Sequence, residues 1–468
     1  MAKDPKDTIC RELWSYPVID LTRPKVRVCC KRSGELIDNE KLSTYKNDVF
    51  LNLPAIKEDR LGLLNGEQVS GCKQCWDLEN KGLNSFRLGA MDFQFHFNND
   101  IGQPIHWSKF RPFEKLIEEK DQLIESDMPN KLDIQLGSFC DQKCVYCNWT
   151  YSSQWDTEDW KFGRIDFWDP TKPKDVKEYK DYNSFRADGW YEAFISWFDT
   201  IHQHLERIAL LGGEPTFSPL FKPLTDHIIK RLNEKAHPNC TLVIVTNLNW
   251  KNDVLEQIRH LRKSLPSSVK LTLEVSMESF GSKAEYIRFG VNWDRFVNNL
   301  KAVSMLENVE VKLCTTLNAL CITSIQEYFE LIKIIELDCG KNFEVISNRL
   351  VYPKWLSVDL LDASFSHYIE NFISWLEIYY PDDEFLPKAN LHKLMKETLE
   401  IVNGPTDKNM VGYFTKWIDA IDARRDINFL QTFPEFKQLY TEHKEYGQRF
   451  FTFEELRPWQ HHWDLAGN

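Results

Sequence analysis

The chain has 468 residues, 42% of them hydrophobic and 27% charged, and carries a formal net charge of −12. That balance excludes a disordered polypeptide, the lack of any apolar run of about 18 residues excludes a helical membrane span, and the acid excess disfavours a protein that grips nucleic-acid phosphates. The polar start, Met1 to Asp7, is no secretory signal; a cytoplasmic location is expected, where twelve cysteines point to metal chemistry rather than disulfides.

Cys10 is followed by two apolar runs, Pro17-Val18-Ile19-Asp20-Leu21 and Val26-Arg27-Val28-Cys29-Cys30. They turn at Arg23-Pro24 and predict a hairpin ending in thiols. Cys72-Lys73-Gln74-Cys75 adds a Cys-x-x-Cys pair. Cys10, Cys29, Cys72 and Cys75 suffice to close a four-thiolate site, either a 4Fe–4S cluster with no open iron or a tetrahedral zinc. Cys30 is the alternative to Cys29. Cys240, Cys314, Cys321 and Cys339 lie in apolar or loop contexts and read as small buried hydrophobes.

Lys131–Leu136 alternates as a strand and leads into Cys140-Asp141-Gln142-Lys143-Cys144-Val145-Tyr146-Cys147. Thiolates at Cys140, Cys144 and Cys147 can hold three irons of a cubane cluster and leave the fourth open to a ligand. A zinc site or an accidental thiol cluster is the alternative, although zinc commonly takes its ligands in two pairs and no second pair follows. Residues 148–188 form a long crossover rich in Trp, Asp, Lys and Tyr, with Pro170 and Pro173. It reads equally as a lid or substrate wall and as a solvated insertion.

Strand patterns follow at Arg207–Leu211, Thr241–Thr246, Lys270–Ser276, Val309–Leu317 and Phe343–Val351. Helical patterns lie between them at Leu220–Leu232, Val254–Ser264, Trp293–Leu306 and Ser324–Ile335. Strand–helix alternation implies a parallel sheet. From Ala363 to Asn468 the pattern is helical: Phe365, Tyr368, Ile369, Phe372, Ile373 and Leu376 make a core stripe, and Asp419–Asp426 reads as a charged helical face, a structural ion-pair surface rather than a site.

The strand ends carry polar residues. In Leu210-Leu211-Gly212-Gly213-Glu214-Pro215, Gly212 and Gly213 let backbone approach a ligand, and Glu214 can accept a hydrogen bond from an ammonium. Asn247 and Ser276 end the next two strands, and Arg288 offers a guanidinium fork for a carboxylate. For these last three, plain strand-end hydrogen bonding or a surface pair is the alternative.

The thiol spacing, with Tyr146 just before Cys147, together with Gly212-Gly213-Glu214-Pro215 one strand later, resembles the radical S-adenosylmethionine (radical SAM) superfamily. The resemblance implies an α/β fold: a partial (β/α)6 TIM-like barrel at residues 101–355, an N-terminal auxiliary iron–sulfur module at 1–100 and a helical C-terminal region at 356–468. The pattern Cys72-x-x-Cys75-Trp76-x-x-Glu79-x-x-Gly82-x-x-Ser85-x-Arg87, and Ser152-Ser153-Gln154-Trp155 later, resembles the twitch and SPASM subgroups. It implies that Cys10, Cys29, Cys72 and Cys75 ligate an auxiliary 4Fe–4S cluster, with zinc the rival there. It also implies that Cys140, Cys144 and Cys147 hold the catalytic cluster, with Tyr146, Gly212, Gly213, Glu214, Asn247, Ser276 and Arg288 around S-adenosylmethionine.

A reductant such as ferredoxin or flavodoxin would drive cleavage to a 5′-deoxyadenosyl radical. That radical takes hydrogen from a peptide or protein side chain or, next in order, from a small-molecule sugar or aminocyclitol, in an oxidoreductase whose auxiliary cluster assists electron transfer. Two positions depart from the family: Leu248 stands where Gly commonly follows Thr-Asn, and Glu278 where Asp is frequent. Readings from other classes are a non-catalytic iron–sulfur electron carrier or redox sensor, and a zinc-stapled interaction protein.

Overall fold

β-Branched, alternating segments become strands, and in the main sheet those after residue 130 lie side by side in chain order. The computed structural model describes residues 8–32, 34–80, 85–91, 129–163, 165, 188–234, 240–381, 389–405 and 408–442. Its strands are β1 (Pro17–Asp20), β2 (Lys25–Val28), β3 (Glu35–Leu36), β4 (Lys131–Gln135), β5 (Lys143–Cys144), β6 (Arg207–Leu211), β7 (Thr241–Thr246), β8 (Lys270–Ser276), β9 (Arg288–Phe289), β10 (Val309–Leu317) and β11 (Glu344–Arg349). Nine of them form one sheet in the order β11-β10-β8-β7-β6-β4-β1-β2-β3.

Within this sheet every pairing from β4 to β11 is parallel. The predicted hairpin forms as β1 and β2, and β1 adds to β4 in parallel, Asp20 opposite Gln135. The N-terminal hairpin and the strands after residue 130 therefore share one sheet. The strands at 207–211, 241–246, 270–276 and 309–317 match their predicted bounds residue for residue, whereas β11 is shorter than Phe343–Val351.

Register sorts the two faces. Leu132, Ile208, Leu242 and Leu271 align across four strands, as do Ile134, Leu210, Ile244 and Leu273, and all are buried. The opposite face carries Asp133, Gln135, Thr272, Glu274, Glu310, Lys312 and Glu344. The main helices are α1 (Lys73–Glu79), α2 (Ser153–Phe162), α3 (Trp190–Ile201), α4 (Phe221–Glu234), α5 (Asn252–Ser264), α6 (Trp293–Ser304), α7 (Ile325–Cys339), α8 (Ser366–Tyr379), α9 (Ala389–Val402) and α10 (Lys408–Arg425). The crossover helices bury residues three or four apart, such as Leu224, Ile228 and Leu232 on α4 and Phe296, Leu300 and Val303 on α6. These stripes join the apolar strand rows in one core.

Gly340, with φ 65°, stops α7 in a left-handed cap. α8 buries Ile369, Phe372 and Leu376, as the predicted stripe requires. The long crossover opens with α2, capped by Ser152, whose Oγ accepts from Trp155 N at 3.3 Å; residues 164 and 166–187, including Pro170 and Pro173, lie outside the described residues, as do Gly82 and 443–468. The 419–426 segment carries structural ion pairs, as expected: Arg424 with Asp159 and buried Arg425 with Glu158 on α2, while Asp419 and Asp426 stay exposed. Among the described residues no helix is long and apolar enough to cross a membrane.

Candidate functional site

The Cys140–Cys147 loop leaves the C-terminal end of β4, where a parallel α/β sheet places its chemistry. Cys147 N–H donates to Cys144 O at 2.9 Å, folding the last two thiols into a turn. Gln142 N–H points at Cys140 Sγ at 3.5 Å, the kind of contact that tunes a sulfur ligand. β5 pairs with β9, setting Cys144 opposite Arg288, and Val145 N–H donates to Ile287 O at 2.7 Å. All three thiols are half-buried. Burial, then the neighbouring thiols, pushes Cys147 up to about 12 and Cys140 further. Burial lifts Cys144 to about 11, with Arg288 pulling the other way. The free thiols therefore hold their protons, and any metal must displace them.

Side chains from three segments fix this loop. Asn247 Nδ2 and Asn249 Nδ2 donate to the two carboxylate oxygens of Asp141 at 2.8 and 2.7 Å. Ser152 Oγ donates to Gln142 O at 2.6 Å, and Trp155 Nε1 to Cys144 O at 2.8 Å. Trp417 on α10 donates to Val145 O at 3.0 Å and stacks on Trp155 with centroids 5.7 Å apart. Glu158 takes Lys143 of the loop and Arg425 of α10 together. Burial alone would raise the Glu158 pKa, but the charges of Arg425 and Lys143 hold it below the usual carboxylate range. Asp141, Asn249, Glu158, Trp417 and Arg425 escape sequence reasoning; only the Asn-x-Asn alternation at 247–249 signals any of them.

The structure brings Gly212, Gly213, Glu214, Asn247 and Arg288 against this loop. A Cβ on Gly213 would lie 2.4 Å from Phe139 O and 2.8 Å from Ser138 O and Tyr151 O. One on Gly212, whose φ is +148°, would lie 2.5 Å from Gly137 O. The glycines thus let β6 press against the backbone of the thiol loop, held by Gly213 N–H to Gly137 O at 2.9 Å and Glu214 N–H to Phe139 O at 2.6 Å.

Glu214 is buried, and its carboxylate accepts from Thr216 Oγ1, Thr246 Oγ1 and Asn247 N–H, the last at 2.7 Å. Burial raises its pKa while these donors oppose the rise. Arg288 makes a two-pronged pair with buried Glu278, Nη2 to Oε2 at 2.6 Å and Nε to Oε2 at 3.1 Å. Tyr146 Oη donates to the same carboxylate at 2.9 Å. Burial would lower the Arg288 pKa, but the Glu278 charge outweighs it and drives it up. Ser276 sits half-buried at the end of β8, level with Cys314 of β10.

The N-terminal thiols also converge. Cys10 feels the charges of Cys72 and Cys75, and Cys29 that of Cys10. Cys29 adopts a left-handed backbone, φ 75°, which brings Lys31 N–H to its sulfur at 3.5 Å. Cys30 shares a side-chain hydrogen bond with Cys29 and also lies within the fields of Lys31, Asp133 and Arg27. The non-cysteine residues of the Cys72 pattern tie the thiols in place. Glu79 accepts from Ser85 Oγ and from Arg87 Nε, at 2.5 and 2.9 Å; Arg87 donates to Ile9 O, beside Cys10, at 3.2 Å and lies over Trp76 at 4.6 Å.

Among the described residues no three His, Cys, Asp or Glu side chains close on one point as a single ion demands. A cubane spreads its thiolates over separate irons and asks for a wider spacing. The donor chemistry of both sets, thiols with backbone N–H groups aimed at sulfur, fits such clusters.

No protein-family model and no curated protein matches the chain. Ten chains among solved structures do. They include native anSMEcpe with bound AdoMet, at 13% identity and a TM-score of 0.32 over 52% of this chain and 58% of that one. The same protein with AdoMet and the Cp18Cys peptide gives 13% and 0.31 over the same shares, and a hexahistidine-tagged form with AdoMet gives 14% and 0.32 over 52% and 57%. The chain thus covers less than two thirds of the length of these structures. Likeness of this degree assigns no chemistry, which rests on the residues themselves.

Proposed function

We propose that this chain is a radical SAM enzyme whose strands β4, β6, β7, β8, β10 and β11 form the wall of a partial barrel, with the reaction at their C-terminal ends. The observation that carries the reading is the Cys140–Cys147 loop itself. It offers three thiols, it is locked from both sides, and it is pressed against Gly212-Gly213. A cluster held by Cys140, Cys144 and Cys147 supplies, when bound, the electron that cleaves S-adenosylmethionine into methionine and a hydrogen-abstracting 5′-deoxyadenosyl radical. The chain's part is to hold and shield. Trp155 and Trp417 cover the backbone at Cys144 and Val145. Asp141, through Asn247 and Asn249, keeps the first half of the loop at the end of β7.

Cys10, Cys29, Cys72 and Cys75 would ligate the auxiliary cluster. Cys29 is chosen over Cys30 because its sulfur receives the Lys31 N–H. The substrate is a peptide or protein side chain in the first instance, a sugar or aminocyclitol in the second. Ferredoxin or flavodoxin is the reductant, and the net reaction is an oxidation.

Metal analysis and electron paramagnetic resonance test this reading. Anaerobically prepared protein is expected to carry about eight irons and eight sulfides, and Cys72→Ala about four of each. The signal of the reduced protein should change when S-adenosylmethionine is added. Zinc with little iron, or a signal indifferent to the added compound, would refute the proposal.

A further inference from the structure

Gln142 lies between the first two thiols of the loop and touches both. Its backbone N–H points at Cys140 Sγ at 3.5 Å, and its side-chain Oε1 accepts from the Cys144 thiol at 3.7 Å. Ser152 Oγ holds its carbonyl at 2.6 Å, so the backbone is pinned while the amide plane keeps its own torsion. The residue is 1% exposed, yet Nε2 of this amide has no hydrogen-bond partner among the described residues. A buried donor left without an acceptor is costly and rare in a folded protein. Neighbouring donors are already committed: Trp155 Nε1 to Cys144 O, and the Arg288 fork, opposite Cys144, to Glu278.

This orientation of the amide suits a thiol that still carries its proton. A sulfur bound to iron has lost that proton. Oε1 would then face a negatively charged sulfur at the separation where it now accepts. The last torsion of a glutamine is broad and roughly two-fold, and half a turn about it exchanges Oε1 with Nε2, an acceptor with a donor. The turn brings an N–H to the Cys144 sulfur and needs no backbone movement. It removes the repulsion and gives the orphaned donor its acceptor. What it leaves unpaired is a carbonyl oxygen, the less demanding of the two groups.

We infer that Gln142 is a positioning residue for the metal centre: its carboxamide turns over when Cys144 is ligated and donates Nε2–H to the Cys144 sulfur, which makes the cluster easier to reduce by one electron. A reduced cluster is more negative than an oxidised one, so a donor aimed at sulfur favours the reduced form and raises the potential. The electron comes from the external reductant, and no covalent bond forms or breaks at Gln142. The inference rests on the enzyme reading above and adds to it a residue that governs how readily the centre accepts its electron.

A redox titration of the full-length, anaerobically reconstituted protein tests it, with dithionite as reductant and electron paramagnetic resonance as the readout. The quantity read is the midpoint of the signal that responds to S-adenosylmethionine. Gln142→Met keeps the length of the side chain and loses the donor. It should retain its iron and disfavour the reduced form about tenfold, a downward shift of about 59 mV for one electron. Gln142→Leu, equally without a donor but of another shape, should shift the midpoint the same way. Lys263→Gln, on the exposed end of α5, should leave it where it is. A second measurement needs no variant and decides the case if the variants hold no iron. Wild-type protein made with glutamine carrying a heavy-nitrogen label in the side-chain amide alone should show coupling of that nitrogen to the same signal. Equal midpoints for wild type and both variants, or a wild-type signal without the nitrogen coupling, would overturn the inference alone. A wild-type preparation with no signal that responds to S-adenosylmethionine would defeat the enzyme reading and the inference with it.

Discussion

Glu278→Ala is expected to lose about 3–5 kcal/mol of folding stability, measured by denaturant unfolding. Its carboxylate is fully buried and answers both the Arg288 fork and the Tyr146 hydroxyl. Removing it leaves a guanidinium, 7% exposed, without this counter-charge, and a phenol without its acceptor. Arg288 stands opposite Cys144 in the β5–β9 pair, so the thiol loop loosens as well. The double variant Glu278→Leu/Arg288→Met should lose less than Glu278→Ala alone, because no charge is then stranded. A loss below about 1 kcal/mol for Glu278→Ala, the range of an exposed pair, would contradict a buried one.

Gly213→Ala is expected to be the more damaging change for activity. The added carbon meets three backbone carbonyls, none of which can rotate away as a side-chain end would. Relief requires β6 and the thiol loop to part. Overpacking of this kind costs about 1–3 kcal/mol. Displacing a catalytic loop by about 1 Å can cost roughly a hundredfold in rate. Thermal melting and 5′-deoxyadenosine formation measure the two effects. An unchanged melting temperature together with full turnover would show that the glycine is not needed for this contact.

The strands were legible because their chemistry is local. Thr241–Thr246 and Lys270–Ser276 alternate or run apolar, and polar or glycine-containing segments stop them. The thiols and Gly212-Gly213-Glu214 were legible for the same reason, since short spacing along the chain is all that those motifs need. What the glycines do was less so: they seat the loop backbone, a contact between residues about 75 positions apart that no spacing rule encodes.

The lock on the thiol loop was hidden for the same physical reason. Trp417 reaches Val145, and Arg425 reaches Glu158, only once α10 has packed onto α2. A stretch that reads as an ion-pair surface therefore turns one of its arginines, Arg425, inward. Glu278 reads as a departure from an expected Asp, and the longer carboxylate finds its partner in Arg288 after a turn of ten residues. Leu248 occupies a left-handed backbone, φ 57°, where a glycine would be at ease. Its side chain is fully buried, and Asn299 Nδ2 holds its carbonyl at 3.0 Å, so packing and hydrogen bonding overcome the local preference.

Product analysis after anaerobic reconstitution with iron, sulfide and dithionite measures the central chemistry most directly. Wild-type protein incubated with S-adenosylmethionine should form 5′-deoxyadenosine and methionine, and Cys144→Ala should form neither. Turnover that survives in Cys144→Ala, or none from a wild-type preparation carrying its full complement of iron, would contradict a three-thiolate centre that opens one metal corner to S-adenosylmethionine.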